Sequence, residues 1–352
     1  MAKVLMKGNE AIAESAIRAG GLVYFCYPLT PQSEIAEYLA RRMPEAGGAY
    51  LQAESEVAVS NMLYGAAGVG ARAWVSSSGP GMSLMMEAIS YIAAAELPAV
   101  IVNIVRAGPG LGGILPSQGD YNQATKSGGH GDYHTLVLAP ASVQEAVDFM
   151  PLAFDRADRY RTPVIIIGDG MIGQMMEPVE FKEFSFPPLP PKDWAATGIN
   201  GRAKSNIINS LHLDPKVEED LNVRLKAKYD QMKREELRFE EYGTDKPYDA
   251  LLVAYGTTAR ICKTAIAQLS SAGIRAALLR PITLYPFPEA KVRELARPAR
   301  LVMSVEMSMG QMLDDVRLSV GPDKPVEFFG RTGGIVPSPE EIVEQVKRHL
   351  AV

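Results

Sequence analysis

With 352 residues, 47% of them hydrophobic, the chain can bury two sizeable cores and carries no compositional sign of disorder. A net charge of −5 argues against nucleic acid or a membrane surface as partner, since both favour a basic face. The opening MAKVLMKGNEA lacks the apolar segment of a signal peptide, and no apolar run approaches the length of a membrane span. The expectation is therefore a soluble, cytoplasmic protein. Cys26 and Cys262 are far apart in apolar surroundings and read as buried thiols. Two cysteines cannot build a disulfide framework, nor ligate an iron–sulfur cluster, which needs about four. Electron transfer would then use metal centres on another chain.

Residues 3–8 read as a short strand, with Asn9 capping a helix that Gly20 and Gly21 end. Leu22 to Cys26 form an apolar strand that runs into Tyr27-Pro28-Leu29-Thr30-Pro31. A helix over residues 32–43 follows, with Thr30 expected as its N-cap and Pro31 in its first turn. Strand, tight turn and helix N-terminus together favour an anion, although an ordinary capped turn has the same pattern.

Residues 51–70, LQAESEVAVSNMLYGAAGVG, place Glu54 and Glu56 at the mouth of a helix. Val57, Ala58, Met62, Leu63, Ala66 and Ala67 supply its apolar positions, and Gly65 and Gly68 allow close approach. An acid so placed points into a junction. The simpler alternative is that both acids complement the helix dipole. A strand over 71–76 and the turn Ser77-Ser78-Gly79-Pro80-Gly81 lead to a helix over 82–96. Its stripe of Met82, Met85, Met86, Ile89 and Ile92 reads as core. Neither this turn nor the glycines at 65, 68 and 70 match a dinucleotide or phosphate loop.

Residues 99–105 form a buried strand with Arg106 at its carboxyl end, where ligands collect in open α/β sheets. The glycine-rich stretch 107–134 reads as one long loop without secondary structure of its own. It carries Gln118, Asp120, His130 and Asp132, and is expected to be an ordered ligand loop. His130 and His134 share a face only on a helix, which Gly128, Gly129 and Gly131 oppose, so no metal is expected there. A strand over 135–138, a helix over 142–159 and a strand over 163–167 complete a doubly wound parallel sheet. Residues 180–204 form a proline-rich crossing segment. Residues 216–241 read as a charged helical arm packed by Val217, Leu221, Leu225, Tyr229 and Met232. A second α/β unit starts near Tyr248, with strands over 251–255, 276–279 and 300–305 and helices over 259–272 and 339–350. The expected domains are 1–185, 186–246 and 247–352.

Taken in order and spacing, several motifs resemble the α subunit of multi-subunit 2-oxoacid:ferredoxin oxidoreductases, most of all the branched-chain (2-oxoisovalerate) and 2-oxoglutarate members. They are Tyr27-Pro-Leu-Thr-Pro31, Gln52-Ala-Glu-Ser-Glu56, Arg106 after its strand, Gln118-Gly-Asp120 and Gly129-His-Gly-Asp132. Asp169-Gly-x-x-Gly-Gln-Met-Met-Glu-Pro178, Leu284-Tyr-Pro-Phe-Pro288 and Val305-Glu-Met-x-x-Gly-Gln-Met312 continue the series. The resemblance covers essentially the whole chain. It implies a doubly wound thiamine-diphosphate-binding domain of the pyrimidine type, followed by a smaller α/β domain like the transketolase C-terminal one. It also implies that a β subunit holds the diphosphate and Mg2+, and that a γ subunit and a ferredoxin-like [4Fe–4S] subunit complete the assembly. Gly168-Asp169-Gly170 looks like the opening of a diphosphate–metal motif, but the asparagine pair expected after it is missing.

The resemblance further implies site residues. Glu56 would hydrogen-bond N1′ of the aminopyrimidine, with Glu54 as second choice. Pro28 and Leu29 would line the cofactor. Thr30 and Arg106 would hold the 2-oxoacid carboxylate, a task that suits a guanidinium fork. Gln118, Asp120 and His130 lie in the loop that resembles the family's active-site loop. The implied reaction converts 2-oxoacid, coenzyme A and oxidised ferredoxin to acyl-CoA, CO2 and reduced ferredoxin. A 2-oxoglutarate enzyme, for which Lys126 is a candidate second cation, and a non-catalytic scaffold of the same fold are the alternatives.

Overall fold

The computed structural model describes residues 3–351. The first half runs β1 (Val4–Lys7), α1 (Gly8–Arg18), β2 (Val23–Cys26), α2 (Ser33–Glu45), β3 (Ala49–Gln52), α3 (Glu56–Gly68), β4 (Ala73–Ser77), α4 (Pro80–Ala94) and β5 (Ala99–Val105). It continues with α5 (Tyr121–Thr125), β6 (Leu136–Leu138), α6 (Val143–Tyr160), β7 (Pro163–Asp169), α7 (Gly170–Gln174) and β8 (Met176–Val179). After the crossing segment come α8 (Pro215–Glu235), β9 (Phe239–Tyr242), β10 (Ala250–Val253), α9 (Gly256–Ser271), β11 (Ala276–Pro281) and β12 (Thr283–Tyr285). The chain closes with α10 (Glu289–Ala296), β13 (Leu301–Glu306), α11 (Met312–Val320), β14 (Glu327–Gly330) and α12 (Pro339–Leu350).

Seven strands form the first sheet in the order β12-β6-β7-β5-β4-β2-β3. All neighbours pair parallel except β12, which joins β6 antiparallel. The central strands β4, β5 and β7 are buried throughout, as near-continuous runs of apolar residues covered on both faces should be. β2 lies between β3 and β4, so the winding reverses there. The turns leaving β2 and β4 open onto the crevice where ligands bind in such sheets. The second sheet, β14-β13-β10-β11-β9, is parallel except for β9. The architecture is α/β with a doubly wound first domain, as expected. The methionine stripe of α4 and both cysteines are buried.

Several local expectations are corrected. Asn9 does not cap α1. It is buried inside the first turn, where its amide donates to the Pro31 carbonyl and the Glu34 carboxylate, each at 2.8 Å. Neither Thr30 nor Pro31 lies at the start of α2: the residue before the helix is Gln32, whose side chain turns inward to accept from Ser76 Oγ. The long loop is not devoid of structure, since it folds into α5. Val57 and Val217 face outward, unlike the rest of their stripes. The charged arm ends at Glu235 and the chain then forms β9, which bonds to β11. β8, which pairs antiparallel with β1, was not foreseen either.

Candidate active site

Ser55 begins α3 by accepting a hydrogen bond from the Ala58 N–H at 3.2 Å. This cap separates the two acids. Glu54 stays outside and exposed, while Glu56 enters the first turn and is only 6% exposed. Among the described residues no hydrogen-bond donor reaches the Glu56 carboxylate. Across from it lies the first turn of α4. A Cβ built on Gly81 would stand 2.5 Å from Glu56 Oε1, 2.3 Å from Ser77 Oγ and 2.9 Å from Leu29 Cδ2. Those three groups therefore converge on one place that tolerates only glycine. The Ser77 and Ser78 hydroxyls are buried there without partners. Pro28 is exposed beside Leu29 in the same turn.

Arg106, 6% exposed, stands at the end of β5. Its Nη1 donates to the Thr30 carbonyl at 3.0 Å and its Nη2 to the Leu111 carbonyl at 2.8 Å. Its Nε is buried and has no partner. Gly79, at φ +46°, lets the backbone pass against the arginine stem; a Cβ there would lie 3.2 Å from Cγ and Nε. Thr30 and Arg106, paired in the sequence reading as carboxylate ligands, are thus directly bonded. Beside the guanidinium is a cavity of about 460 Å³. Arg106, Ser117 and Asp120 line it from the first domain, and Ser308, Met309 and Gln311 from the second. Burial pushes the Asp120 carboxyl above its ordinary value, against the Asn103 amide that donates to it at 2.9 Å and the nearby Arg106 charge. A buried guanidinium with donors to spare at a cavity is suited to a carboxylate ligand.

The other loop residues go elsewhere. Gln118 is a rivet between the domains. Its Nε2 donates to the Tyr255 carbonyl, and its Oε1 accepts from Thr258 Oγ1 and from the Met307 N–H, all at 2.9 Å. His130 is exposed and lines a different cavity, of about 250 Å³, beneath the crossing segment and α8. Lys126 is bound to Asp315, so it is not a free second cation. Asp169 caps α7 through the Met171 and Ile172 N–H groups, a structural role. Sequence reasoning missed Ser77, Ser78 and Gly81, although the turn containing them was visible as strand-to-helix. It also missed the wall that the second domain contributes. Among the described residues no three His, Cys, Asp or Glu side chains converge as a metal-ligand set. No described helix is long and apolar enough to cross a membrane.

The family model described as pyruvate flavodoxin/ferredoxin oxidoreductase, thiamine diphosphate-binding, matches residues 14–191. The pyruvate:ferredoxin oxidoreductase core domain II model matches residues 249–342. Ketoisovalerate oxidoreductase subunit VorB of Methanothermobacter thermautotrophicus is 46% identical, over 99% of this chain and 98% of its own. 2-Oxoglutarate synthase subunit KorA of Archaeoglobus fulgidus is 39% identical, over 98% and 99%. Among solved structures, the 2-oxoglutarate:ferredoxin oxidoreductase of Magnetococcus marinus with 2-oxoglutarate, coenzyme A and succinyl-CoA bound superposes with a TM-score of 0.90 at 25% identity. That match covers 99% of this chain and 65% of the longer one. A split-gene transketolase, with a TM-score of 0.57 at 14% identity over 98% of each chain, shares the fold. The chain belongs to the 2-oxoacid:ferredoxin oxidoreductase subunits, and its first domain is of their thiamine-diphosphate-binding kind.

Proposed function

We propose that this chain is the aminopyrimidine-binding subunit of a branched-chain 2-oxoacid:ferredoxin oxidoreductase. The complex would oxidatively decarboxylate the 2-oxoacid, join the acyl group to coenzyme A and pass the released electrons to ferredoxin. The observation that supports this reading is the Glu56 carboxylate, set in the first turn of α3 against Gly81 of α4 and receiving no donor from any described residue. A carboxylate with unfilled acceptor capacity close to the orphan Ser77 hydroxyl is free to accept a donor from outside the chain. The orphan hydroxyls of Ser77 and Ser78 and the apolar Leu29 suit the same partner, a flat ring with a polar edge.

Thiamine diphosphate supplies the carbanion chemistry when bound. Glu56 holds and moves the proton at N1′ of its aminopyrimidine. Gly81 lets Glu56, Ser77 and Leu29 pack against the first turn of α4, and Leu29 and Pro28 would line the ring. Arg106 and Thr30 bind and orient the substrate carboxylate. Among the described residues no metal-ligand set is found, and we assign the diphosphate and Mg2+ to a β subunit. α3 and α4 support this division. Each has a single charged residue, Glu56 and Glu87 respectively, and they turn Val57 and Leu84 outward beside the cofactor site. A γ subunit and a [4Fe–4S] subunit would complete the electron path.

The VorB relative supports a branched-chain substrate, and the commitment of Lys126 to Asp315 weighs against a second carboxylate. The test is anaerobic viologen reduction by the purified native complex with coenzyme A, comparing 2-oxoisovalerate, 2-oxoglutarate and pyruvate. A coenzyme A-dependent rate highest with 2-oxoisovalerate is expected. A preference for 2-oxoglutarate would overturn the substrate, and no rate with any acid from a cofactor-replete complex would overturn the enzyme.

A further inference from the structure

The loop after β13 contains an anomaly. Met307 and Met312 are fully buried and Ser308 nearly so, yet Met309 between them is 78% exposed. Looseness is not the cause, because the loop is pinned at several points. The buried Glu306 carboxylate accepts five hydrogen bonds, from the hydroxyls of Ser304 and Ser308 and the N–H groups of Gln311, Met312 and Leu313, at 2.8–3.0 Å. Met307 and Gln118 bond each other in both directions, at 2.8 and 2.9 Å. Gln311 reaches across to the Gly119 carbonyl at 2.6 Å and the Asn122 N–H at 2.8 Å. A rigid frame thus presents one large apolar side chain to solvent at the wall of the Arg106 cavity.

The loop that leaves Arg106 has a matching feature. Leu111, also 78% exposed, gives its carbonyl to the Arg106 guanidinium. The cavity lining combines the polar Arg106, Asp120, Ser117, Ser308 and Gln311 with the apolar Met309 and Pro80. Of the side chains lining the cavity, Met309 is the largest apolar one, and a substrate whose carboxylate sits at Arg106 can lay its carbon chain against it. A thioether on three rotatable bonds is well suited to an irregular, branched aliphatic group.

We propose that Met309, contributed by the second domain, is the specificity-determining wall that receives the aliphatic side chain of the 2-oxoacid. This rests on the function proposed above and names the residue that selects within it. The test compares Met309→Ala and Met309→Leu in the native complex, with kcat/KM measured for 2-oxoisovalerate and pyruvate. Met309→Ala should lower kcat/KM for 2-oxoisovalerate about tenfold and leave pyruvate within about twofold, while Met309→Leu restores the preference. An equal loss for both acids, or an unchanged ratio, would overturn the assignment. So would failure of the Met309→Ala complex to assemble, which would make Met309 a subunit contact. A wild-type complex that turns over no 2-oxoacid would fell the proposed function itself, and this inference with it.

Discussion

Two buried glutamates sit at helix N-termini, Glu56 inside the first turn of α3 and Glu306 as an acceptor for the first N–H groups of α11, and they are opposites. Glu306, at the end of β13, is saturated by five donors from its own domain and shapes the loop that leads into α11. Glu56, in the first turn of α3, is almost as deeply buried and receives no donor from any described residue. Burial alone therefore does not separate the two. Acceptor capacity does: that of Glu306 is filled from its own domain, and that of Glu56 is left open for the partner assigned to it under the proposed function.

The largest effect that would break this contrast lies at Glu56. Glu56→Gln keeps size and shape, so the complex should assemble and unfold as the wild type does. Turnover should fall at least about a hundredfold, the range of a lost proton-transfer group. Near-normal viologen reduction would return Glu56 to an electrostatic partner of its helix. Glu306→Gln should behave in reverse. Replacing an acceptor that meets five donors costs about 3 kcal/mol, read as a lower unfolding midpoint. An equally stable Glu306→Gln protein would show that the two acids do not differ as described.

His134 sharpens the comparison with the smallest effect. It stacks on Tyr285 at 4.2 Å and meets Tyr229 of α8 edge-on at 5.4 Å. Burial pushes its imidazole below the ordinary value, and Lys233 and Lys126 push the same way. The unfolded chain then binds a proton that the folded one refuses. Stability is full above the unfolded pKa of about 6.5 and falls as the pH drops through the lower folded value. Denaturation midpoints should decline slightly as the pH falls below about 6.5, and His134→Phe should flatten that slope. A wild-type protein without the slope would leave His134 as a packing residue only.

The parts of the fold that were legible are those where local pattern and burial agree. β5 is apolar except for Asn103 and occupies the residues expected of it, and α12 carries Ser338 and Glu341 as a capping box after which its span could be read. β8, β9, β12 and β14 are only three or four residues long and exist because a partner strand pairs with them. No periodicity within so short a run could announce that. In the candidate site, Glu56, Thr30 and Arg106 were proposed from their motifs, and the structure buries Glu56 and Arg106 and bonds the Thr30 carbonyl to the guanidinium. The separate fates of Gln118, Asp120 and His130 were not, because all three share one loop in sequence and only the tertiary fold sends one to the domain junction, one to the cavity and one to the surface.

β12 has a consequence for movement. It belongs to the second half of the chain yet closes the edge of the first sheet, and Ala139 N–H donates to the Ile282 carbonyl at 2.8 Å beside it. With Gln118 bonded to Tyr255 and Thr258 at the start of α9 as well, the two halves are tied at more than one place. A rigid-body opening of the Arg106 cavity would have to break these ties, so under the proposed function access to it is expected to depend on small shifts of the loops at its rim.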